Sequence, residues 1–311
     1  MDNHTVFISK PDLIDPVMIV GWPGMGNVAL GVVNYIRRSL TAEKFCEITW
    51  RTPHMHESVD VENGIARFPS PPRHSFFFTK SPDLIIIEGE AQLQGASSAS
   101  LLETVITVAM QFKTKRIFAG AAFPLPISHR EESEVYGAAT SQAFMNELIR
   151  HKVKMMDGGS ISGLNGLILG FAAQKKLEAA CLLATMPQYA IGFSNPKASR
   201  AIIEVLAKML GLHIDTRELE TLIKDIDEKM ALIENKAIEV FSGESDAPKA
   251  EEDFEAEKKK IPASALERIE SLFFEAKRDK KKAYLLKREL DRWDLFKVYE
   301  DRFLDLFKES Q

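Results

Sequence analysis

Four stretches of the sequence hold residue types that could do chemistry. In GWPGMGNVA (21–29), Gly24, Gly26 and Ala29 spell G-x-G-x-x-A between an apolar run and an apolar-periodic run. That is the spacing of a turn whose backbone N–H groups approach a dinucleotide pyrophosphate. The fingerprint also needs an acidic residue at the end of the second strand, but Glu47 stands near the start of FCEITW. Trp22-Pro23 puts a bulky ring and a locked φ where the pyrophosphate would lie. We therefore read a tight strand-to-helix turn, with Asn27 as the N-cap and an anion at the helix start left open. In HMHE (54–57), two imidazoles would share one face of a strand, as a metal site requires. No second ligand group follows at a recognisable spacing, so no metal is expected.

Glu88, Glu90 and Gln92 follow the apolar run DLIII, where open α/β sheets place ligands and where paired carboxylates could do acid–base work. In ISGLNGL (161–167), Gly163, Asn165 and Gly166 tolerate left-handed backbone ahead of another helical stretch. Taken together, Gly24, Gly26, Asn27, Glu88, Gln92, Asn165 and Gly166 define a candidate crevice between two facing turns. No nucleophile elbow, Walker loop or Cys/His pairing accompanies them, so no catalytic residue and no cofactor is assigned.

The elements that would position these groups read clearly. Apolar runs at 16–22, 45–50, 83–89, 116–123 and 179–187 alternate with helical periodicity at 27–40, 98–112, 134–150, 163–173 and 197–211. This alternation predicts an α/β fold with a mainly parallel sheet covered on both faces. Residues 53–78 break the rhythm, and Asn63-Gly64 marks a β-hairpin excursion. A long amphipathic helix follows Asp215. We therefore expect a core domain over 1–241, a charged flexible linker over 242–262, and a helical tail over 263–311. The tail carries Trp293, Phe296, Tyr299, Phe303 and Phe307, aromatic surface expected to dock onto the core or a partner.

The bulk numbers bound the function class. The chain has 311 residues, 45% hydrophobic content and a net charge of −5, which suits a globular protein and lacks the basic excess of a nucleic-acid binder. Two separated cysteines, no signal-peptide pattern at the start and no 18-residue apolar run point to a cytoplasmic chain without membrane contact.

The ordered series GWPGMGNVALGVVNYIRRSL, DLIIIEGEAQ, ISGLNGLILGFAAQ and CLLATMPQYAIGFSNPKASRAIIEVLAKMLGLHID resembles the proteasome-assembly-chaperone family of the second-subunit type, over about residues 10–240. The resemblance implies a three-layer fold akin to nucleoside phosphorylases and hydrolases and a homo-oligomer. It also implies a non-enzymatic interaction protein helping a complex to assemble, with proteasome subunits as partners. Some archaeal relatives dock through a C-terminal hydrophobic-Tyr-any tripeptide. The chain ends Phe307-Lys-Glu-Ser-Gln311, and Val298-Tyr299-Glu300 sits in a helical stretch, so docking by that route is not expected. The alternative is a small-molecule enzyme or binding protein using the crevice for a nucleoside, nucleotide or phosphate.

Overall fold

In the computed structural model, which describes residues 3–50, 59–242, 269, 272, 273, 283–292 and 299, each of the five apolar runs is a strand. The chain begins with β1 (Asn3–Phe7), β2 (Val17–Gly21), α1 (Val28–Ser39) and β3 (Glu43–Trp50). It continues with the short strands β4 (Asp60–Glu62) and β5 (Ile65–Arg67), then β6 (His74–Thr79), β7 (Leu84–Gly89) and α2 (Gly95–Gln111). Next come β8 (Arg116–Leu125), β9 (Val135–Ala139), α3 (Gln142–Arg150), β10 (Lys154–Met155), α4 (Leu164–Gln174) and β11 (Glu178–Pro187). The helices α5 (Pro196–Leu210), α6 (Arg217–Ser242) and α7 (Ala283–Arg292) follow.

Nine strands form one mixed sheet in the order β1-β3-β6-β7-β2-β8-β11-β9-β10. Its centre, β7-β2-β8-β11, is parallel throughout. These are the continuous apolar runs, as expected for strands buried on both faces. Alternation along each strand sorts the core into two layers. Met18, Val20, Ile85, Ile87, Ile117, Cys181 and Leu183 meet Leu101, Leu102 and Val105 of α2 and Leu164 and Ile168 of α4. Ile19, Ile86, Phe118, Ala180 and Leu182 face the other way, onto α1, α3 and α5, with Leu219 and Met230 of α6 in the same cluster. The three-layer α/β architecture is thus present. Both cysteines lie inside it, and burial pushes their thiols up to about 11 at Cys46 and about 12 at Cys181.

Two local expectations need correction. Residues 134–150 are not one helix: Val135–Ala139 pairs antiparallel with β11, and only Gln142–Arg150 is helical. The alternating burial of Val135 and Gly137 against β11 overrides helical propensity in this stretch. The excursion over 53–78 also splits. Its Asn63-Gly64 turn is real, with both residues at positive φ joining β4 to β5. HSFFFT, however, is a strand of the main sheet, paired antiparallel with β3 and β7.

The chain divides into two compact units, Met1–Ala237 and Ile238–Gln311. In the second, Leu286 and Leu290 of α7 are buried, and the Phe273 and Tyr299 rings lie 5.6 Å apart. Of the expected tail aromatics only Tyr299 is among the described residues. Trp293, Phe296, Phe303 and Phe307 lie outside them, as does the stretch 243–262. Among the described residues no helix is long and apolar enough to cross a membrane. The same residues hold no cluster of three His, Cys, Asp or Glu arranged for a metal ion, and 54–57 lie outside them.

Candidate functional site

The loops that follow β2 and β7 are tied to the start of α4 by side-chain amides. Asn165, in the first turn of α4, accepts the Trp22 N–H at 3.0 Å and donates to the Trp22 carbonyl at 3.1 Å. Its carboxamide thus pairs with the Trp22 backbone as a neighbouring strand would, at the point where β2 has ended. Gln92, beyond the end of β7, bridges the same two segments, donating to the Pro23 carbonyl at 2.5 Å and accepting the Leu164 N–H at 2.9 Å. Gly24 lies beside Asn165, where a Cβ would sit 3.8 Å from its Nδ2. Gly166 follows Asn165 on the helix and packs so tightly on the Ile161 carbonyl that any side chain there would overlap it.

Gly26 adopts φ 60° and ψ 8°, a left-handed backbone that favours glycine, and a Cβ there would lie 2.8 Å from Met186 Sδ and push the end of that side chain aside. Its N–H donates to the Ile191 carbonyl and its carbonyl accepts the Asn195 N–H, joining the β2–α1 and β11–α5 loops. Asn27 occupies the N-cap position of α1 in left-handed conformation, but its side chain makes no capping hydrogen bond. The Gly26 and Asn27 N–H groups are already engaged by the Ile191 and Gly24 carbonyls. An anion at this helix start would have to displace them.

The seven candidate residues do not line one crevice. Gly24, Gln92 and Asn165 border a cleft of about 660 Å³ between the starts of α2 and α4. Gly26, Asn27 and Glu88 border a second cleft of about 380 Å³ on the opposite face, among α1, α5 and α6. Glu88 points to the α1 side because it alternates with Ile87, which faces α2. There it accepts from Arg37 at 2.7 Å and from Asn34 at 3.2 Å. Glu90 bonds Arg73 instead. Burial tends to raise its carboxyl, but the Arg73 backbone N–H and guanidinium outweigh this and hold it below the usual range.

Two residues of this region carry no signal of their role in the sequence. Trp22 turns its ring fully into the core, where its Nε1 donates to His74 Nδ1 at 3.1 Å. His74 is fully buried, and Nε2 has no partner among the described residues. Desolvation lowers this imidazole to about 4, so it is neutral at ordinary pH. Gly89 exists to admit the indole, since a methyl there would overlap it. Asn195-Pro196 does have a legible signal. Asn195 caps α5 by accepting the Ala198 N–H at 2.9 Å, with Pro196 in the first turn.

Every described residue lining the larger cleft is uncharged, from Pro23, Met25 and Phe123 to Ser160, Ser162 and Leu167. Such a cleft suits an apolar guest with amide or hydroxyl contacts better than a phosphate.

A model of the PAC2 family matches residues 18–234. An uncharacterized protein of Methanocaldococcus jannaschii is 25% identical over 244 residues, covering 78% of this chain and 92% of its own. Among solved structures, PbaB of Pyrococcus furiosus, an archaeal proteasome activator, is 25% identical with a TM-score of 0.64, covering 75% of this chain and 98% of that one. PbaA of the same organism, an archaeal homolog of proteasome-assembly chaperone, is 20% identical with a TM-score of 0.59, covering 77% and 99%. At that identity the second likeness speaks for the fold alone.

Proposed function

The chain belongs to the PAC2 family, and from that premise we propose that it is a cytoplasmic, homo-oligomeric interaction protein that assists a protein complex, with proteasome subunits as its partners. The observation that carries this reading is how the loop residues are used. Asn165, Gln92 and Glu88 are committed to holding loops and α1 in place, while Met25, Leu167, Ile191 and Phe193 stand exposed near the same end of the sheet. Rigid loops carrying exposed apolar side chains suit recognition of a protein surface. The likeness to a proteasome activator over most of both chains supports the choice of partner. In this reading the core spans 1–241, and the tail over 263–311 offers Trp293, Phe296, Tyr299, Phe303 and Phe307 as a further docking face.

Affinity capture from the native cell tests the proposal, together with light scattering of the purified full chain. Proteasome subunits should co-purify, and the particle should exceed the mass of one chain. An inert monomer that captures no partner would overturn the reading.

The second reading, a small-molecule protein, is favoured by one observation: a cleft of about 660 Å³ falls within the size range of ligand pockets. A ligand at 100 times its dissociation constant adds about 2.7 kcal/mol of stability. A melting-temperature rise with a nucleoside, nucleotide or phosphate panel would establish it, and an unmoved midpoint would dismiss those ligands.

A further inference from the structure

The sequence holds two Asn-Gly pairs, Asn63-Gly64 and Asn165-Gly166. An asparagine followed by glycine carries a latent reaction, because the next backbone nitrogen can reach its carboxamide carbon and no Cβ stands in the way. The structure treats the two pairs in opposite ways. At the second, Asn165 is 5% exposed and bonded to both backbone groups of Trp22, and the Gly166 N–H donates to the Gly163 carbonyl at 3.1 Å. Gly166 also packs directly on the Ile161 carbonyl, so the nucleophile is tied down and a ring has no room to form.

Asn63 and Gly64 instead form the exposed tip of the β4–β5 hairpin. A Cβ built on Gly64 would meet nothing within 4 Å, and the Gly64 N–H makes no backbone hydrogen bond among the described residues. The Asn63 carboxamide has no partner among the described residues either. Reaction requires Asn63 to leave its left-handed backbone, at φ 50°, so that its Cγ meets the Gly64 nitrogen. The hairpin opposes that rotation weakly. Its strands have three residues each and pair with no other strand, and such a ribbon opens readily in water.

We propose that Asn63 is a site of spontaneous backbone modification, deamidating through a succinimide to aspartate and isoaspartate, while Asn165 is protected by its fold. The Gly64 nitrogen gives its proton to a solvent base and attacks Asn63 Cγ. The Cγ–Nδ2 bond breaks, Nδ2 takes up a proton and leaves as ammonia, and a five-membered imide remains. Water then adds to either ring carbonyl and opens the ring. Attack at one carbonyl gives aspartate, and attack at the other gives isoaspartate, in which the main chain runs through the former side chain. Water enters and ammonia leaves, with no change of oxidation state. Either product adds a negative charge to a tip that already carries Asp60 and Glu62. Isoaspartate also lengthens the backbone by a methylene, which a two-residue turn does not accommodate. The step needs neither partner nor oligomer. Its reversal calls for an enzyme that methylates isoaspartyl carboxylates, the reaction class that accepts this product.

Peptide mapping by mass spectrometry of the full chain, aged in neutral to mildly alkaline buffer, tests the assignment, with methyl transfer by an isoaspartyl methyltransferase as the probe for isoaspartate. Asn63 should convert progressively, and faster as hydroxide rises, because the attacking nitrogen must lose its proton. Asn165 should convert on the order of a hundredfold more slowly, since its burial and both hydrogen bonds must first be given up. Gly64→Ala should slow conversion at Asn63 on the order of tenfold or more by placing a Cβ beside the nucleophile. Asn63→Gln, which keeps the amide but needs a six-membered ring, should stay intact and should abolish methyl acceptance in this segment. Circular dichroism and the melting midpoint should not move as Asn63 converts, because the hairpin pairs with no strand of the main sheet. An Asn63 that survives as long as Asn165, or that converts equally fast in Gly64→Ala, would overturn the assignment.

Discussion

The Asn165 bridge is the most direct test of how this sheet edge is built. Replacing Asn165 by Ala removes the acceptor of the Trp22 N–H and the donor to the Trp22 carbonyl, at a residue with 5% exposure. Leaving a buried polar group unpaired costs about 1–3 kcal/mol, so the two groups together predict a loss of about 2–6 kcal/mol. For a domain of this size, where 1 kcal/mol corresponds to about 2–4 °C, the melting temperature should fall by about 4–24 °C. Asn165→Asp separates the hydrogen bonds from the cavity, because the volume is almost unchanged. When ionised, the new carboxylate still accepts the Trp22 N–H but offers the Trp22 carbonyl only a repelling oxygen. When protonated, its O–H can donate there and the original pattern returns. The introduced group therefore has a folded-state pKa above its unfolded value of about 3.9. Its proton is held more tightly in the native state, so stability is fullest below about pH 4 and declines as pH rises through the folded-state value. Calorimetry or circular-dichroism melts of parent, Asn165→Ala and Asn165→Asp from acid to neutral pH measure both effects. A midpoint within about 1 °C of the parent for Asn165→Ala, or no extra pH slope for Asn165→Asp, would refute the bridge as a structural tie.

Gly89→Ala should destabilise by about 1–3 kcal/mol through overlap with the Trp22 indole, measured by denaturant midpoint, and a neutral result would mean that the indole can move aside. His74 is held neutral down to about 4 against an ordinary value of 6.5. Below 6.5 the unfolded chain binds the proton and the native chain does not, so stability drops as pH falls from 6.5 to about 4, by on the order of 3 kcal/mol in all. His74→Gln, which keeps an acceptor for Trp22, should flatten that part of the pH–stability curve, and an unaltered slope would exclude His74 as its source. Lys197 donates to the His129 carbonyl and pairs with Asp227 at 3.0 Å, tying α6 to the core unit. Lys197→Met should cost about 1 kcal/mol and speed hydrogen exchange over residues 217–230, while exchange in α4 stays as in the parent.

Local pattern made much of the fold readable. PVMIVGW, DLIIIEG, RIFAGAAF and AACLLATMP are continuous apolar runs because strands in the parallel centre are buried on both faces. Asn63-Gly64 was readable because few other pairs accept positive φ at both turn positions. VYGAA was not, because Gly and Ala carry little strand preference and β11 supplies the pairing. HSFFFT looked like part of the excursion, since its partners β3 and β7 lie on either side of it in the sequence and only the sheet brings them together. The crevice residues were all found at or beside the carboxyl edge, yet the sheet runs between them. Strand alternation turns Glu88 toward α1, while Gln92, past the strand end, reaches across to Pro23 and Leu164.

By itself the sequence determined the alternation of strands and helices, the glycine turns at 24–26 and 163–166, and the resemblance that marks the family, because each is written in short-range periodicity or in fixed backbone requirements. Only the tertiary structure decided that Trp22 turns inward onto His74 and that Asn165 and Gln92 serve as substitutes for strand backbone. It also decided that the cleft between α2 and α4 is lined by uncharged residues. Those outcomes depend on partners 52 to 143 residues apart, and such pairings are fixed by packing the layers together and by the cost of leaving a buried N–H or carbonyl without a partner.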